Sequence, residues 1–168
     1  MSSRLKNFSS GSKKHIAVNS DWTFGIAVSE WNDEITGKLL EGARQTLLEN
    51  GISEENIFVK YVPGSFELPL AAQWMLGSVD NRLNFHAVIC LGCVIQGETR
   101  HFEFICDAVA QGIKDVTLKY NKPVVFGILT TNNLQQAKAR AGGKHGNKGI
   151  EAAITALKMV ALKHELNK

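Results

Sequence analysis

The nine residues Ala87 to Ile95 carry no charge and no strongly polar side chain. Successive side chains of a strand point to opposite faces, so a run of this kind is apolar on both. That pattern marks a central strand of a parallel sheet, covered by helices above and below. The rest of the chain has to supply helices for two faces.

It does so by alternation. Thr23 to Glu30 is a short, β-rich apolar run. Asn32 or Asp33 can cap a helix through about Asn50, with Ile35, Leu39, Ala43 and Leu47 on one stripe and Gly51 at its end. Ile57 to Val62 is the second strand, and Pro63-Gly64-Ser65 turns into a helix reaching about Leu76. The segment from Gly77 to Phe85 is polar and reads as a surface connection. After the central strand and the loop Gln96 to Arg100, a helix is expected from His101 to Tyr120, burying Phe102, Ile105, Val109, Ile113 and Val116. Pro123 opens the fourth strand, Val124 to Leu129. A helix from about Asn133 to Ala141 stops at Gly142-Gly143, and a last helix runs from about Asn147 to Leu166 with Ile150, Ile154, Leu157 and Ala161 on one face. Four β-α units predict a three-layer α/β/α fold with a four-stranded parallel sheet, flavodoxin-like in layout. Residues 23–168 form one domain in this reading, preceded by an N-terminal arm, residues 1–22.

Composition narrows the function. A length of 168 residues suits one domain, and a net charge of +3 does not argue for a nucleic-acid partner. No apolar run approaches the roughly 18–20 residues of a membrane span, and no secretory leader opens the chain, so no membrane partner and a cytoplasmic location are expected. Met1 to Ser20 holds Arg4, Lys6, Lys13 and Lys14 without an acid. It resembles a transit peptide in composition alone, and otherwise reads as a solvated arm. Asn7-Phe8-Ser9 is only a formal sequon. The three cysteines, Cys90, Cys93 and Cys106, do not suggest a disulfide framework. Cys90 and Cys93 stand three apart in the central strand and should face opposite sides, and no second ligand pair is spaced for zinc. No metal is expected. Thr36-Gly37-Lys38 fails as a P-loop because Asn32 replaces the first glycine and Leu39 the final Ser or Thr.

In sheets of this type ligands bind beyond the carboxyl ends of the strands. The residues that matter are then Trp31, Gly64 to Glu67, Gln96 to His101 and Thr130 to Asn133. Trp31 can stack on a flat heterocycle or serve as core. Glu67 in Ser65-Phe66-Glu67 can complement a helix dipole or bind the hydroxyls of a polyol. Glu98 and Thr99 precede His101, an imidazole able to exchange protons near neutral pH or to sit solvated. The loop from Ala141 to Gly149 is glycine-rich and basic and follows Arg140. It either holds an anion, with Arg140 forking onto a phosphate, or joins two helix caps decorated with lysines. Phe126 reads as core. The residues suggest a site for a flat ring, a hydroxylated chain and a phosphate, with one proton-transfer group.

Three segments in register resemble the lumazine synthase family: Val62 to Pro69, Gly97 to Glu103, and Arg140 to Gly149. Trp31-Asn32 followed by Leu40 to Ala43 adds to the likeness, which runs from about Thr23 to the C-terminus and leaves the arm uncovered. The resemblance implies a cofactor-free transferase of riboflavin biosynthesis, which joins 5-amino-6-(ribitylamino)uracil to 3,4-dihydroxy-2-butanone 4-phosphate. It implies that His101 transfers protons and that Arg140, with Glu98 and Thr99, binds phosphate. It also implies that Ser65, Phe66 and Glu67 hold the ribityl chain, and that Cys93, Val94 and Ile95 read the pyrimidine edge. Trp31 takes a stacking position often filled by Phe, and the larger ring is expected to favour riboflavin or lumazine binding. Phe126 becomes an aromatic contributed by the adjacent subunit, and Lys148 belongs to the same basic loop as Arg140. The family forms pentamers, in many members assembled as a 60-mer icosahedral shell, with sites between subunits. The alternatives are a non-catalytic flavin-binding module and a shell-forming structural paralogue. Riboflavin synthase activity would leave the Arg140 phosphate site unexplained.

Overall fold

The computed structural model describes residues 16–77 and 83–167. Most of the expected arm and its basic residues lie outside that range. The four-stranded parallel sheet has the order β2-β1-β3-β4. Its strands are β1 (Phe24–Ser29), β2 (Ile57–Val62), β3 (Ala87–Ile95) and β4 (Val124–Thr131). β3 lies inside the sheet, paired with β1 and β4, and its residues from Ala87 to Cys93 are all buried. β4 runs two residues past the expected end, because Gly92 to Ile95 pair with Ile128 to Thr131.

Helices cover both faces. α1 (Asp33–Glu49) and α5 (Lys148–Leu166) pack with alternate side chains of the strands, including Ile26, Ile89 and Leu91. α2 (Leu68–Leu76) and α3 (His101–Tyr120) pack on the other face against Ala27, Val88 and Cys90. Cys90 and Cys93 therefore lie in opposite cores, as their spacing requires. On α3, Val109, Ile113 and Val116 are buried, while Phe102 and Ile105 are only half-buried.

Three local features differ from the sequence expectation. Asn32 precedes α1 in a left-handed conformation, but its side chain does not cap the helix. The glycine-rich loop between α4 (Leu134–Arg140) and α5 is a small antiparallel hairpin of β5 (Ala141–Gly143) and β6 (Gly146–Asn147). The buried face of α5 is Gly149, Glu151, Ala152, Ala153, Ala156, Leu157 and Val160, so Ile150 and Ile154 stand at its margin. Small side chains explain the shift: a Cβ on Gly149 would lie 1.9 Å from the Leu39 carbonyl oxygen. α5 rests there directly on the backbone of α1.

Asn147 holds this contact. Its Oδ1 accepts the N–H groups of Gly149 at 2.7 Å and Ile150 at 3.3 Å, and its Nδ2 donates to the Lys38 carbonyl at 2.9 Å. The helix N–H groups expected to greet an anion are thus partly engaged by a cap. At the other end of the sheet Trp22 is buried, with its ring 6.4 Å from that of His86 and 6.3 Å from that of His164. Phe85, within the segment read as polar, is buried in an edge-on contact with Phe58.

Candidate active site

The chain leaves β1 towards one face of the sheet and leaves β3 towards the other. The carboxyl ends of these neighbouring strands form the switch point where open α/β sheets take their ligands. One short turn ties it together. Asn32 Nδ2 donates to the Cys93 carbonyl at 2.9 Å, spanning β1 and β3. The N–H groups of Glu30 and Trp31 donate to the carbonyls of Val62 and Pro63 at 2.8 and 3.1 Å, spanning β1 and β2. Left-handed backbone at Asn32, with φ of 62°, lets one residue turn the chain this sharply. Trp31 is left 74% exposed at the rim. It is not core.

The segment after β2 is sorted by depth. Ser65 to Glu67 form one 3-10 turn ahead of α2. Ser65 is buried over Gly92, where an added Cβ would lie 2.6 Å from its hydroxyl oxygen. Phe66 points outward and is 56% exposed. Glu67 Oε2 accepts the Gly64 N–H at 2.9 Å, which fixes the direction of its carboxylate.

At the end of β3, Cys93 is buried and Val94 and Ile95 are half-buried. Burial pushes the Cys93 thiol up to about 11 and the Cys90 thiol up to about 12. Neither is poised as a nucleophile or metal ligand. Among the described residues no group of three or more His, Cys, Asp or Glu could hold a metal ion. Glu98, Thr99 and His101 are exposed, with His101 the first residue of α3. Arg100 lies along the helix instead, with Nε 3.1 Å from Glu103 Oε2 and its guanidinium 5.8 Å from the Phe104 ring centre.

The other expected residues form a second group. Phe126 pairs with Cys90, five positions before the end of β4. At about 3.3 Å per residue it stands about 16 Å below the strand ends. It lines grooves along the outer edge of β4, against Ile113 and Thr117 of α3 on one side and Lys148 and Glu151 of α5 on the other. Arg140, the last residue of α4, joins this group through Glu151, as Nη2 donates to Glu151 Oε2 at 3.2 Å and Nη1 to the His145 carbonyl at 3.0 Å.

Three residues, Asn32, Glu151 and Ser29, were given no site role by the sequence reading, and Thr131 entered it only as part of a strand-end segment. Asn32 bridges two strands, and Glu151 is a buried carboxylate. The hydroxyls of Ser29 and Thr131, at the ends of β1 and β4, are buried with no hydrogen-bond partner among the described residues. Only Glu151 left a local signal, a charge between Ile150 and Ala152 on a helix otherwise packed by small residues.

The chain is a doubly wound α/β protein whose switch point is rimmed by an exposed tryptophan, a pinned carboxylate and a helix-leading histidine. The family model for 6,7-dimethyl-8-ribityllumazine synthase matches residues 21–164. The 6,7-dimethyl-8-ribityllumazine synthase of Cytophaga hutchinsonii is 62% identical over 163 residues, covering 96% of this chain and 98% of that one. Those of Christiangramia forsetii and Porphyromonas gingivalis are 48% and 47% identical, covering 98% and 96% of this chain and 96% and 98% of their own. The chain belongs to the 6,7-dimethyl-8-ribityllumazine synthase family.

Proposed function

We propose that the chain condenses 5-amino-6-(ribitylamino)uracil with 3,4-dihydroxy-2-butanone 4-phosphate, giving 6,7-dimethyl-8-ribityllumazine, inorganic phosphate and water. It is a transferase of riboflavin biosynthesis. The observation that carries the reading is the near-full-length match to relatives of that name. In the reaction the ring amine attacks the ketone and loses water as a Schiff base. Phosphate then leaves, and the nitrogen bearing the ribityl chain attacks the remaining carbonyl and closes the second ring with loss of a second water.

The residues take roles that their positions support. Trp31 stacks on the pyrimidine, and the strand end Cys93, Val94 and Ile95 faces its edge. Ser65, Phe66 and Glu67 hold the ribityl hydroxyls. His101 moves protons beside the reacting amine, while Glu98, Thr99 and Arg140 bind the phosphate. Holding two reactants in one pose removes translational freedom, which is the largest gain open to a cofactor-free condensation.

The site lies between subunits in this reading. Phe126, Arg140 and Lys148 gather along the β4 edge, away from the strand ends of their own chain. A neighbour docking its β4 edge beside another chain's strand ends completes the set. Such a head-to-tail contact closes into a ring, a pentamer, and pentamers can build a 60-mer shell. A cytoplasmic location fits the pathway, and no helix among the described residues is long and apolar enough to cross a membrane.

The test mixes purified protein with both substrates and follows lumazine absorbance and phosphate release together. Matched production well above the uncatalysed background is expected. No acceleration by a folded, assembled protein would favour the flavin-binding or structural alternative.

A further inference from the structure

Glu151 sits in the first turn of α5 and is only 9% exposed. Its Oε2 accepts from Arg140 Nη2 at 3.2 Å and lies 3.5 Å from Lys148 Nζ. Its Oε1 is buried and meets no hydrogen-bond donor among the described residues. A carboxylate is costly to bury, and two cations on one oxygen offset only part of that cost. It is the one charged residue on the buried side of α5, whose other buried residues are small or apolar. What Glu151 does is place a negative charge between two cations beside the β4 groove.

We propose that Glu151 is an internal anion that competes with phosphate for Arg140 and Lys148, and so sets how firmly the site holds phosphate. The inference rests on the reading of Arg140 as the phosphate-binding residue. Two cations alone would grip a dianion strongly in a partly buried site. With Glu151 between them the net charge is one positive, and the inorganic phosphate formed in the reaction can leave. Glu151 does not touch the reacting atoms. It is a positioning residue acting through Arg140 and Lys148.

The experiment titrates inorganic phosphate into the assembled full-length protein by calorimetry, and repeats it as product inhibition during turnover. Wild type, Glu151→Gln, Glu151→Asp and Arg140→Ala are compared. Glutamine keeps the shape and an acceptor oxygen while removing the charge. Phosphate is expected to bind about tenfold tighter to Glu151→Gln, in line with loss of a competing charge a few ångströms away. KM for the sugar phosphate should fall, and kcat should fall with it as product release slows. Aspartate, its carboxylate drawn back by one methylene, should give a smaller gain of about threefold. A merely structural role predicts the opposite sign, with weaker binding and a higher KM. Unchanged or weaker phosphate binding in Glu151→Gln, with binding lost in Arg140→Ala, overturns the proposal and leaves the phosphate site intact. Binding that survives Arg140→Ala overturns both. If the glutamine variant does not assemble, the aspartate variant decides alone, and affinity equal to or below wild type overturns the proposal.

Discussion

His101 stands first on α3, at the end of the loop that follows the central strand. A proton-transfer group contributes typically 10²–10⁴-fold, so His101→Ala should slow turnover by about that factor or less. Steady-state rates at saturating substrate measure it, and a folded, assembled variant with no turnover would contradict the view that pose dominates. Residue types of this kind were legible, since an imidazole, a carboxylate and an arginine advertise their chemistry. Asn32 was not. A local rule made it a helix cap, whereas its amide reaches a carbonyl 61 positions along the chain. Glu151 failed in the same way, because its meaning depends on Arg140 folding back upon it from a preceding helix. Trp31 and Phe126 show the two outcomes for an aromatic. The first lies at the rim, and the second on an outer edge that a core reading would have closed over.

The packing of α5 on α1 explains a glycine that the basic loop had seemed to reserve for anions. At Gly149 any side chain meets backbone that cannot swing aside. Overpacking costs about 1–3 kcal/mol, so Gly149→Ala should lower the thermal midpoint by roughly 6–12 °C at the upper end of that range. Differential scanning calorimetry reads the shift, and an unchanged midpoint would show that the helices separate at little cost. The strands and the helix α3 were legible because hydrophobic period alone defines them. The hairpin of β5 and β6 was not, since its few residues are shaped by the helices on either side.

A second element-scale consequence concerns acid. His86 Nδ1 accepts the Thr23 N–H at 2.9 Å, which requires that nitrogen to be unprotonated. Burial lowers the His86 pKa from its ordinary 6.5, and Lys122, His164 and Lys163 lower it further. Below 6.5 the unfolded chain therefore binds more protons at this position than the folded one. The stability contributed by His86 is full above about pH 6.5 and is lost as pH falls towards the lower native value. Melting curves between pH 7.5 and 5 (about the window set by the unfolded group) should slope less steeply for His86→Gln than for wild type. Parallel slopes would remove His86 from the acid response.

For the molecule as a whole, the apolar outer edge of β4 is the feature that a single chain leaves unfinished. An unpaired edge beside exposed apolar surface invites a partner. The chain also offers an unlike patch on α2, where Leu70 and Trp74 are exposed one turn apart, and head-to-tail rings need two unlike patches. Phe126→Glu should shift the protein to smaller species by light scattering and abolish condensation together. Full assembly with native turnover would place the interface elsewhere.

If the site lies between subunits as proposed, the division of expected site residues between strand ends and β4 edge also governs what mixed populations can do. Suppose one defective chain has ruined strand ends and another a ruined edge, and that neither turns over alone. Co-assembled in equal amounts, they place intact strand ends beside an intact edge at about one interface in four, since each interface draws its two halves independently. Roughly a quarter of native output would return from two dead parents. Geneticists would score the pair as complementing alleles of one locus.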